Sequence, residues 1–118
     1  MRTDEGSWKN LRGDSVKFTA SWMDHNTELL VKALLSLKNE DEAYRFLDDL
    51  CTIAEIKAMS QRMHVAQLLD KDTTYNIIAR ESGASTATIS RVKRCLNYGA
   101  NGYRTILDKM KKESDHGK

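Results

Sequence analysis

No proline occurs anywhere in this chain, and only six glycines interrupt it. Proline removes a backbone donor and clashes with the preceding helical turn, so its absence leaves helix unobstructed over nearly every stretch. Breaks are expected at few places: Asp70 to Thr73, Gly83, and Tyr98 to Gly102. Between them apolar residues recur at helical spacing, and no segment alternates apolar and polar residues as a half-buried strand does. The fold class read from this is all-α.

The helices can be placed from their stripes and caps. After Met23, Leu30, Leu34 and Leu37, with Val31 and Ala33, mark a first amphipathic helix. Asn39, followed three residues later by Glu42, is a start signal for a second, which carries Ala43, Phe46, Leu47 and Leu50. Thr52 with Glu55 reads as a capping box, in which the threonine oxygen takes an orphan amide and the glutamate reaches back to the cap amide. A longer third helix follows through Ile56, Met59, Met63, Ala66 and Leu69, its methionines read as core. Thr73 or Thr74 caps a short fourth helix with Ile77, Ile78 and Ala79. Ser85 caps a fifth, on which Ile89, Val92 and Leu96 share a face. Tyr103, Ile106, Leu107 and Met110 mark a sixth.

The 118 residues suit one domain. Residues 1–22 show no usable period and hold Trp8 and Trp22; they are read as an arm or an extension outside the native domain, with Met23 as a possible natural start. The domain is expected over 23–112 and a tail over 113–118. Arg12-Gly13-Asp14 is read as a chance tripeptide. No stretch approaches the roughly 20 apolar residues of a membrane span, and the N-terminus lacks a secretion signal's apolar region, so a cytoplasmic location is expected.

Candidate chemistry is sparse. Cys51 and Cys95 have no metal-ligand spacing with His25, His64 or His116, and are expected to be reduced, half-buried thiols. Glu40, Asp41, Glu42, Asp48 and Asp49 are read as a solvated helix face, because adjacent carboxylates diverge on a helix. His64 is read as an ordinary packed or surface histidine. No nucleophile sits with a base, so no catalytic residue, metal site or cofactor is expected, and the chain is not read as an enzyme.

Charge is better placed than it is abundant. The net value is only +2, but from Met23 to Asp72 the balance is −4, and from Ser85 to Lys112 it is +6. Within the basic part, "ESGASTATISRVKR" runs from Glu81 to Arg94. A short helix, a glycine turn and a second helix over about twenty residues, Tyr75 to Arg94, form a helix-turn-helix. Ala79 is small where the helices cross, and Gly83 can take a positive φ. Ser82 departs from the pattern, since a larger apolar residue is expected there. If Ile89, Val92 and Leu96 face inward, the outer face carries Thr86, Ala87, Ser90, Arg91 and Arg94. Small residues let a backbone approach base edges, hydroxyls exchange hydrogen bonds with them, and arginine reads guanine or holds phosphate. Ser85 and the free amides of the helix start suit a phosphate, and Lys93 looks like a further phosphate contact. Tyr75 and Asn76, at the start of the first helix of the pair, complete the candidate DNA-binding set.

"LCTIAEIKAMSQRMHVAQLL" followed by "YNIIARESGASTATISRVKRCLNYG" resembles the tryptophan-repressor-like proteins, most of all their YerC/YecD branch. The resemblance covers roughly Leu29 to Met110. It implies about six helices, a bacterial cytoplasmic setting and an intertwined homodimer that binds operator DNA through two helix-turn-helix units. Leu30, Leu34, Leu37, Phe46, Leu47 and Leu50 are the candidate dimer interface. For the corepressor pocket of the tryptophan repressor, the resemblance places Thr52, Arg62 and Arg91 at matching positions. Val92, however, stands where a glycine makes room for the indole, and Cys95 replaces a serine that meets the ligand's amino group. The third helix is also one residue shorter before the motif. Tryptophan is therefore not expected as corepressor, a filled slot excluding the ring. The leading expectation is a sequence-specific DNA-binding transcriptional regulator, a repressor. The alternative is a protein-interaction module using the helix-turn-helix as a scaffold, against which the basic far end argues.

Overall fold

The computed structural model of the chain describes residues 17–116. Trp8, Arg12-Gly13-Asp14 and most of the expected arm lie outside the described residues, as does the end of the expected tail. Six helices are present among the described residues and no strand: α1 (His25–Leu35), α2 (Glu40–Leu50), α3 (Ile53–Asp70), α4 (Tyr75–Ser82), α5 (Thr86–Tyr98) and α6 (Gly102–His116). The chain divides into two compact units, one ending at Asp49 and the other beginning at Leu50. None of these helices is long and apolar enough to cross a membrane.

In the first unit, α1 opens on a capping box: Asp24 accepts from the Thr27 amide at 2.8 Å, and the Thr27 hydroxyl accepts from the Asp24 amide at 2.8 Å. The apolar stripe predicted for α1 runs past its end. The helix stops at Leu35, where the Ser36 amide bonds back to Lys32 and Ala33, so Leu37 lies beyond it. Asn39 accepts from the Glu42 amide as expected, and Glu42 returns a carboxylate to the Lys38 amide. Among the described residues of this unit no side chain is buried. On α1, Leu29 remains 65% and Leu35 56% exposed.

The second unit has a core. Val65 and Ala66 of α3, Ile78 of α4, Ala84 of the turn, Ile89 and Val92 of α5, and Leu107 of α6 are all buried against one another. Leu68, Leu69, Ala79, Leu96 and Tyr103 pack on that cluster. The Thr52–Glu55 capping box forms in both directions, at 2.8 and 3.1 Å. Two readings need correction. Met63 packs against the core, but Met59 is exposed, because the core engages only the C-terminal half of α3. Cys51 is half-buried as expected, whereas Cys95 is exposed on α5; both thiols are free.

One ion cluster fastens α6 to α3. Asp70, at the end of α3, accepts from Arg104 at 2.7 Å and from Lys111 at 2.8 Å. Hydrogen bonds from Lys111 and then Arg104 hold its carboxyl below the ordinary value of 3.8, outweighing the opposing effect of burial.

Candidate nucleic-acid interface

Thr74, rather than Thr73, caps α4, its hydroxyl facing the Ile77 amide at a long 3.5 Å. At the other end, Gly83 adopts φ +73 and donates its amide to Ala79 at 2.9 Å. Three side-chain bonds fix this turn. The Ser82 hydroxyl donates to the Ile78 carbonyl at 2.6 Å and accepts from the Ala84 amide at 3.1 Å. From α3, Gln61 donates to the Ser82 carbonyl at 3.2 Å. A larger apolar residue at position 82 would lose two of these bonds, which accounts for the serine. Ser85 then caps α5, accepting from the Thr88 amide and donating to the Thr88 hydroxyl, both at 3.1 Å.

Burial of Ile89 and Val92, each 1% exposed, sets the rotation of α5. Thr86, Ala87, Ser90, Arg91, Lys93 and Arg94 consequently stand in solvent, as do Ser85 and, on α4, Tyr75 and Asn76. The two helices meet on this surface: the Lys93 ammonium lies 5.4 Å from the centre of the Tyr75 ring, within cation–π range. No carboxylate among the described residues pairs with Arg91, Lys93 or Arg94, in contrast to Arg104 and Lys111, which are engaged by Asp70. The cations of the far end therefore divide in two: Arg104 and Lys111 of α6 are engaged by Asp70, whereas the remainder, Arg91, Lys93 and Arg94 of α5 together with Lys109 and Lys112 of α6, pair with no described carboxylate. Sequence spacing could not separate them, because Asp70 and Arg104 are 34 residues apart. Gln61, 21 residues from Ser82, was invisible to it for the same reason.

The four positions of the corepressor resemblance are only partly brought together. Arg91 and Cys95 line a cleft of about 420 Å³ with Arg94, Tyr98 and Gly99. Thr52 and Arg62 do not line it, and the Thr52 hydroxyl accepts the Glu55 amide. Val92 fills part of the core. Of the expected dimer residues, Leu30, Leu34 and Leu50 are exposed, and Leu37, Phe46 and Leu47 are half-buried. No group of three or more His, Cys, Asp or Glu side chains able to hold a metal ion occurs among the described residues.

Comparison with known proteins places this geometry in a family. The family model for the Trp repressor protein matches residues 25–111. The uncharacterized protein YerC of Bacillus subtilis (strain 168) is 57% identical over 82 residues, which is 70% of this chain and 79% of that protein. The crystal structure of a Trp repressor candidate from Staphylococcus aureus superposes with a TM-score of 0.72 at 49% identity, covering 75% of this chain and 89% of that one. That of a TrpR-like protein from Eubacterium eligens ATCC 27750 gives 0.70 at 53% identity, covering 72% and 88%.

Proposed function

The chain belongs to the Trp repressor protein family, and from that premise we propose that it is a sequence-specific DNA-binding regulator of transcription, a repressor acting as a homodimer in the bacterial cytoplasm. The observation that carries this reading is the outer face of α5, small at its start, cationic further along, and unanswered by any described carboxylate. Thr86 and Ala87 let the helix approach base edges, Ser90 exchanges hydrogen bonds with them, and Arg91 and Arg94 take guanine or phosphate. With the Ser85 hydroxyl engaged by Thr88, a phosphate at the helix start meets the free backbone amides. Lys93, Tyr75 and Asn76 flank the groove-facing residues.

The homodimer is supported by the first unit. A helix with Leu29, Leu30, Val31, Leu34 and Leu35 all exposed gains little from folding in water alone. A second copy supplies the missing apolar surface, and two reading helices then engage two half-sites. Tryptophan has no place in this reading, since the resemblance sets Val92 where the tryptophan repressor has a glycine beside the indole, and a valine side chain in that slot excludes the ring.

Selection from randomised duplex DNA, with affinity followed against salt, tests the proposal. The expected winner is a palindrome with half-sites about one helical turn apart, bound far more tightly than random sequence and unaffected by added tryptophan. Equal, weak binding of all sequences would sink it.

A further inference from the structure

We propose that Gln61, on α3, is a positioning residue that sets the pitch of α5 and with it the discrimination between DNA sequences. The inference rests on the DNA-binding reading and adds a residue that lies outside the reading face. The last carbonyls of a helix have no partner within it. At the end of α4 the Ser82 carbonyl finds one on another helix, the Gln61 amide at 3.2 Å. The Ser82 hydroxyl ties the same turn backward to Ile78 and forward to the Ala84 amide. Residues 82–84 are thus held from three directions: by α4, by the entry to α5, and by α3.

The joint needs such restraint. Gly83 has no side chain, sits at φ +73, and a Cβ there would meet only the Gln61 amide nitrogen, at an ordinary contact distance of 3.9 Å. Apolar packing of Ile78, Ile89 and Val92 keeps α5 on the core, but that attraction is non-directional and permits small rotations. Hydrogen bonds weaken steeply when bent, so the bond from Gln61 resists them. A small rotation about Gly83 is levered along α5 and displaces Thr86, Ala87 and Ser90 relative to base edges. Phosphate contacts by long, flexible lysine and arginine side chains tolerate such a shift, whereas base contacts do not.

The test replaces Gln61 by methionine (Gln61→Met), which keeps the length of the side chain and removes its donor. Affinity is measured for the selected duplex and for a scrambled duplex of the same composition across a salt series, beside amide hydrogen exchange at Gly83 and Ala84. The expected result is a fall of about tenfold in the selected-to-scrambled ratio, with scrambled affinity and salt slope unchanged and exchange at both amides faster. A loss of folded protein lowers both affinities by one factor and leaves the ratio alone, so the ratio isolates positioning. An unchanged ratio overturns the role of Gln61. Should the wild-type chain fail to discriminate between sequences, the DNA-binding reading fails instead, and exchange decides Gln61 separately: faster exchange in the variant upholds the restraint, and unchanged exchange overturns it.

Discussion

At the scale of single residues, the two glycines that bound the reading helix differ in what they forbid. Gly83 lies at φ +73, and a Cβ there would make only an ordinary contact with the Gln61 amide, so Gly83→Ala meets backbone strain without a clash and is expected to cost about 1 kcal/mol. Gly99 has an ordinary φ, but a Cβ there would collide with the Cys95 carbonyl oxygen, a backbone atom that cannot step aside. Gly99→Ala is expected to cost more, about 2–3 kcal/mol, and to loosen the end of α5. Urea unfolding of the two variants checks the order. Arg91 and Arg94 are different in kind, both exposed and without a described carboxylate partner. Arg91→Ala or Arg94→Ala is expected to weaken DNA binding by about 1–3 kcal/mol with melting temperature nearly unchanged. Titration of the selected duplex, together with a thermal scan, measures both; unfolding or unaltered affinity contradicts the assigned face.

At the scale of helices, the hold of α3 on α6 is electrostatic as well as apolar, and this makes it sensitive to acid. A carboxyl whose folded pKa is depressed contributes stability that is complete above its unfolded value and is lost as pH falls through the folded one. For Asp70, held below 3.8, the contribution is complete above about pH 5 and drains away below the ordinary value. Between about pH 6 and about pH 2.5, the wild type is expected to lose more melting temperature than Asp70→Asn, which lacks the charge throughout. Parallel curves would contradict the cluster. This contact also marks the limit of what the chain reveals by inspection. Caps are local, so Thr52 with Glu55, Asn39 with Glu42, Ser85 and Gly83 were all legible, and together with the apolar stripes, which alone marked α1 and α6, they placed six helices. The inward face of α5 was legible because burial repeats at helical spacing. Partners 21 or 34 residues apart leave no such trace, which hid Gln61 and Asp70. The depth of α3 was misjudged for a related reason: Met59 and Met63 share one stripe, yet the core reaches only Met63.

At the scale of the molecule, the two units are unequal: the second has a packed core, and no described side chain of the first is buried. On the homodimer reading, Leu34→Glu places a charge in the middle of the surface that a second copy covers. It is expected to abolish the dimer in sedimentation at micromolar protein, and the wild type alone should show a melting temperature that rises with concentration. A monomeric wild type would remove the dimer and leave the exposed leucines for another partner. The bare apolar helix α1 has a consequence for the life of the protein. Chain that is not sheltered is chain that proteases can cut, and the cut rate follows how often the open form occurs. Where shelter comes from a second copy, scarce protein is opened and degraded fastest and abundant protein persists. Its lifetime in a cell would then be set by its own abundance.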